Sequence, residues 1–71
     1  MFDIAQQLKT CRERKGYSQV HVFEETGIHN KTLSGYERGI STPDIETLRT
    51  LLIFYETSAD DFFMMPKFEK E

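Results

Sequence analysis

Between Ser18 and Gly39 the chain reads SQVHVFEETGIHNKTLSGYERG, two short helical patterns on either side of Gly27. Ser18 is a good N-cap for the first of them, with Tyr17 and Val22 placed as a hydrophobic staple across the helix start. Val22, Phe23 and Thr26 share one side of that helix, and Gly27 ends it. Ile28 and Leu33 repeat the staple around His29, a weaker cap than serine or threonine, and Leu33 with Tyr36 gives the next helix an inward face closed by Gly39. A link of only about three residues forces two such helices to cross steeply. Any fold for this chain must accommodate that corner.

The remaining segments are also helical in pattern, and none shows the alternation of a strand. Ile4, Leu8 and Cys11 recur at i, i+4 and i+7, and Gly16 fits the residue after the helix end, so a first helix is expected over roughly residues 3–15. Asp44 caps a fourth helix whose Ile45, Leu48, Leu52 and Tyr55 form the clearest apolar stripe in the chain. Ser58 opens a short fifth, with Asp60 and Asp61 favourably placed at its positive end. The expectation is an all-α domain of five helices, leaving room for a short C-terminal strand. At 71 residues there is one core. Such small cores seldom supply more than about 3–5 kcal/mol, which makes a partner chain a natural reinforcement.

Several classes of chemistry find no support. Cys11 is the single cysteine, so no internal disulfide forms, and it lies on an apolar stripe where a free cysteine behaves as a small hydrophobe. His21 and His29 lack metal-ligand spacing, and no base is placed to activate a nucleophile. No cofactor, metal or catalytic residue is expected. His21 falls on the polar side of its helix, as a solvated residue. Met1-Phe2-Asp3 begins no apolar leader, and the longest apolar run, Leu51 to Tyr55, is too short to span a bilayer. A cytoplasmic, soluble protein without membrane contact is expected.

The outward residues of the helix that follows Gly27 are Asn30, Lys31, Ser34 and Gly35. All are polar or small, the inventory that reads base edges or phosphates in a major groove, although a simply solvated face would look the same. Charge is uneven: residues 1–43 carry six basic and five acidic side chains, residues 44–71 three basic and seven acidic. The net charge of −3 weakens a nucleic-acid reading without excluding it, because the local potential of the contacting face decides.

From about Leu8 to Phe63 the chain resembles the helix-turn-helix of phage repressors, Cro and bacterial XRE-type regulators, a lambda-repressor-like domain. The resemblance rests on Arg12, Lys15-Gly16, Ser18-Gln19, Gly27-Ile28, Thr32-Leu33, Tyr36-Glu37-Arg38-Gly39, Pro43, Glu46-Thr47-Leu48 and Ser58-Ala59-Asp60. It implies that Gln19 and Arg38 contact phosphates, while His29, by its own place at the start of that helix, is expected either as a phosphate contact or as a cap. It implies also that Asn30, Lys31 and Ser34 face bases or nearby phosphates, Gly35 being a candidate base contact on the same face, and that Arg12 and Glu37 form a buried structural ion pair. Two residues depart from the pattern. Phe23 stands where the family usually has alanine, at the closest approach of the two helices, and must tilt them or fill space left by Cys11 and Thr26. Gly35 stands where a base-reading side chain is common.

Residues 1–63 are thus expected to form the DNA-binding domain, with its motif at about 18–38, and residues 64–71 a C-terminal tail. The apolar run Phe62, Phe63, Met64 and Met65 exceeds what one small core needs and is expected at a dimer interface, ordinary core being the alternative. The expected function is sequence-specific binding of double-stranded DNA by a homodimeric transcriptional regulator, a repressor on a palindromic operator. The competing reading is a protein-interaction module of the same fold, of antitoxin or anti-repressor type, which net acidity, Phe23 and Gly35 would suit.

Overall fold

The computed structural model describes residues 3–64, and all regular structure among them is helical. The elements are α1 (Ile4–Arg14), α2 (Gln19–Thr26), α3 (Asn30–Glu37), α4 (Ile45–Phe54) and α5 (Ala59–Met64). The tail at 65–71, the place of a C-terminal strand and Met65 all lie outside the described residues. No helix among the described residues is long and apolar enough to cross a membrane.

Each helix starts where a side chain can take up an orphaned N–H. Asp3 accepts from Gln6 N at 3.3 Å, Ser18 from His21 N at 3.0 Å, Asp44 from Thr47 N at 2.8 Å and Ser58 from Asp61 N at 3.0 Å. That bond holds the Asp44 carboxyl below its ordinary range, so the cap stabilises the fold above that range and is lost as pH falls through the lowered value. Gly27 turns the chain between α2 and α3 at φ 82°, a left-handed backbone that a side chain would strain. Thr26 reinforces the corner: its Oγ1 donates to Val22 O at 2.7 Å and accepts from Ile28 N at 3.1 Å.

The core takes Leu8 and Cys11 from α1, Val22 from α2, Leu33 from α3, Leu48, Leu51 and Leu52 from α4, then Tyr55, and Phe62 from α5. Burial drives the Cys11 thiol pKa upward, as suits a packing residue rather than a nucleophile. The stripe expected on α4 is shifted. Leu51 is fully buried, whereas Ile45 is 80 % exposed. Leu48, Leu51, Leu52 and Tyr55 follow i, i+3, i+4, i+7 and define the inward direction, which leaves Ile45 at the flank of the first turn. His21, expected in solvent, is half-buried against the Tyr17 and Phe54 rings, with centroids 4.9 and 6.1 Å away.

One polar cluster is embedded in this apolar frame. Glu37 Oε2 accepts from Arg12 Nε at 2.8 Å and Oε1 from Arg12 Nη2 at 3.0 Å, while Arg12 Nη1 donates to Tyr17 O at 2.7 Å. The arginine thereby clamps the end of α3 to α1 and to the strand of chain entering α2. Glu37 raises the Arg12 pKa further above its already high ordinary value. Near it the Tyr55 hydroxyl is buried with no hydrogen-bond partner among the described residues, and desolvation drives its pKa upward.

Two stability measurements follow. Glu37→Ala strands a buried guanidinium and should cost about 3–5 kcal/mol, leaving most of the chain unfolded in a thermal melt; a melt within a few degrees of the parent would refute the clamp. Tyr55→Phe removes only a buried hydroxyl without a partner, whose burial costs about 1–3 kcal/mol, so the midpoint should hold or rise, and a clear drop would show that the hydroxyl is bonded.

Candidate nucleic-acid interface

The inner side of α3 is anchored by Leu33, fully buried, and by Tyr36 packed at the core's edge. With a helical repeat of 3.6 residues, that anchorage turns Lys31 away from the core, and Lys31 is exposed. Asn30 and Ser34 are half-buried and flank it. Arg38 caps the end of α3, its N–H donating to Ser34 O at 2.9 Å, and its side chain is exposed. Among the described residues neither Lys31 nor Arg38 has an ion-pair partner. Two unneutralised cations therefore mark the start and the end of one short helix.

His29 caps α3 through Nδ1, which accepts from Lys31 N at 3.1 Å, and its ring lies 4.6 Å from that of Phe23. This contact resolves the crowding expected at Phe23. The buried residue of α2 is Val22, and the Phe23 ring is half-buried and leans over the α2–α3 turn onto the imidazole. With Nδ1 accepting, only Nε2–H of a neutral His29 remains as a donor.

Gly35 differs from its expected role. Its carbonyl accepts from Ile40 N at 2.9 Å and Ser41 N at 3.3 Å, and a β-carbon there would come within 3.1 Å of Ser41 Oγ. The glycine permits the loop after α3 to fold against the helix, so it is turned to that loop and offers no base-reading group. Phe62, expected at a dimer contact, is fully buried in the core of its own chain, because α5 needs one large anchor to hold it on α4. Phe63 is 49 % and Met64 77 % exposed.

Gln19 is half-buried, and its Nε2 donates to Glu37 Oε1 at 3.1 Å. Sequence reasoning placed Gln19 and Glu37 in separate roles and missed this bond. Gln19 is the first residue of α2 and Glu37 the last of α3, the two ends remote from the Gly27 corner, so no local pattern in the sequence signals the bond. The pair Lys15 Nζ to Glu56 Oε1, 2.6 Å, was also missed. It spans 41 positions and bonds a residue held at φ 58°, where a glycine is usual.

Comparison with known proteins matches this architecture. Residues 8–62 fit the family model described as Helix-turn-helix. The HTH-type transcriptional regulator ImmR of Bacillus subtilis (strain 168) is 39 % identical over 57 residues, which cover 80 % of this chain and 45 % of that protein. The SPbeta prophage-derived uncharacterized HTH-type transcriptional regulator YonR of the same organism is 38 % identical over 55 residues, 78 % of this chain and 51 % of the relative. The chain spans about half the length of the curated relatives it matches. No solved structure matches. With the two-helix corner, its anchoring core and a family match over most of its length, the chain belongs to the helix-turn-helix family.

Proposed function

We propose that the chain binds double-stranded DNA as a transcription regulator, with α3 in the major groove. The observation that carries this reading is the pair of cations, Lys31 and Arg38, without an ion-pair partner among the described residues, at the two ends of a helix whose opposite side is locked into the core. Lys31 reaches base edges, with Asn30 and Ser34 beside it. Arg38, Gln19 and the Nε2–H of His29 meet phosphates and set the register. The names of the two relatives, both transcriptional regulators, support the same class. No part of this role calls for catalysis, a metal or a cofactor.

Two copies acting on a palindromic operator, and repression by occupying it, complete the proposal. The surface suited to pairing is the apolar groove between α4 and α5, about 290 Å³, lined by Ile45, Leu48, Leu52, Ile53 and Phe63 among others. Of this lining Ile45, Ile53 and Phe63 are exposed, and Met64, next to Phe63 in the chain, is exposed as well.

Substituting Lys31 and Arg38 separately by alanine tests the DNA assignment. Lys31→Ala should cost about 1–3 kcal/mol on a duplex selected from a random pool and relax base preference there. Arg38→Ala should weaken all duplexes alike and lower the slope of log affinity against log salt by about one. A parent chain that selects no duplex would favour the protein-interaction reading. For pairing, Ile53→Glu together with Phe63→Glu should convert a sedimenting dimer to a monomer at micromolar concentration, and an unchanged dimer would move the interface elsewhere. Cutting the chain before Phe62 would be a poorer test, since it opens the core.

A further inference from the structure

We propose that Glu37, besides closing the Arg12 clamp, is a positioning residue for DNA binding: its carboxylate fixes the side-chain amide of Gln19 so that one N–H is left to donate to a phosphate. The inference rests on the reading of Gln19 as a phosphate contact.

The geometry runs through one carboxylate. Glu37 is almost wholly enclosed, its side chain 3 % exposed, and both of its oxygens are held by Arg12 at 2.8 and 3.0 Å. Arg12 is itself held at 12 % exposure by the bond to Tyr17 O. Glu37 Oε1 is thus a fixed point, and the Gln19 amide hangs from it at 3.1 Å. A carboxamide has a donor end and an acceptor end, and a phosphate oxygen can use only the donor. A glutamine free at the start of α2 would present either end to the phosphate. A carboxylate accepts and never donates, so it selects the orientation in which Nε2 faces it, and the second hydrogen of that nitrogen becomes the group on offer. The bond to Glu37 is charge-assisted and stronger than one between neutral groups. The guanidinium neutralises the carboxylate, so an approaching phosphate meets an oriented N–H without an uncompensated negative charge behind it.

This arrangement joins three elements at one atom. Glu37 ends α3, Arg12 belongs to α1 and Gln19 opens α2. Whatever sets α3 in the groove therefore sets the phosphate donor with it, and the spacing between base-reading and phosphate-holding groups is fixed before DNA arrives.

A double-mutant cycle tests the proposal. Affinities of the parent chain, Gln19→Ala, Glu37→Gln and the double variant are measured on a duplex selected from a random pool by the parent, with a thermal melt of each protein. Glutamine at 37 keeps the shape and an acceptor for Arg12 but removes the charge that orders Gln19. Glu37→Gln should weaken binding roughly 2- to 10-fold, the cost of ordering one freed side chain, and should have no further effect once Gln19 is alanine. An equal loss in both backgrounds would reduce Glu37 to a residue of the fold and overturn the proposal. If Gln19→Ala leaves the affinity of a DNA-binding chain unchanged, the phosphate reading of Gln19 fails, and the proposal with it. Should Glu37→Gln melt below the assay temperature, the side-chain amide signals of Gln19 in the parent chain decide. One Nε2 proton should be displaced and protected from exchange without DNA, and the other should move when duplex is added; a pair that stays at free-carboxamide positions in both states overturns the proposal.

Discussion

The geometry of this small domain depends on the ion pair of Arg12 and Glu37. A buried pair is weak evidence of net stability, since desolvating two charges takes back much of their attraction, and well-packed apolar residues often do as well. Its value lies in direction. Apolar contacts among Leu8, Val22 and Leu33 would allow α3 to rotate or slide by fractions of a turn at small cost. The two-pronged guanidinium bond, tied off on Tyr17 O, admits one placement of the end of α3 relative to α1 and α2. The face that carries Lys31 inherits that placement.

The α2–α3 corner had to be built without much core. α2 and α3 each bury a single residue, Val22 and Leu33, so neither helix is held by packing alone. The caps at Ser18 and His29, the Thr26 bonds around Gly27 and the Phe23–His29 stack supply the rest. α4 does the opposite work. Leu48, Leu51 and Leu52 make it the apolar wall against which the aromatic group of Tyr17, Phe54 and Tyr55 and the α5 anchor Phe62 collect.

What the sequence made legible was whatever is local. Caps at Ser18, His29, Asp44 and Ser58, the turn at Gly27 and the helix boundaries follow from a few neighbouring residues, and the structure places them as read. What depends on a second element was harder. Ile45 was put on the inward stripe and Leu51 left out of it because a stripe of apolar residues fixes angles around a helix but not which angle the rest of the chain covers. Phe62 looked like surplus because its place in the core depends on how α5 folds back on the preceding helix, which no local pattern shows. Gly35 looked like a lost side chain, whereas its small size answers to Ser41, six residues on, in a loop whose path no periodicity reveals. The Gln19–Glu37 bond belongs to the same class, since it exists only once the corner is folded.

Under the proposed function, these distinctions bear on how an acidic chain holds DNA. Arg12 and Lys15 are engaged by Glu37 and Glu56, which leaves Lys31 and Arg38 as the cations of the candidate face. Each phosphate neutralised contributes a salt slope of only about −0.9, so one copy of this face gains little from counterion release. Binding strong enough to regulate must then draw on two further sources. One is pairing, which doubles the contacts without enlarging either face. The other is neutral donors held in place beforehand, such as an amide whose orientation is set within the fold. A chain with few free charges has the most to gain from fixing where its uncharged groups point.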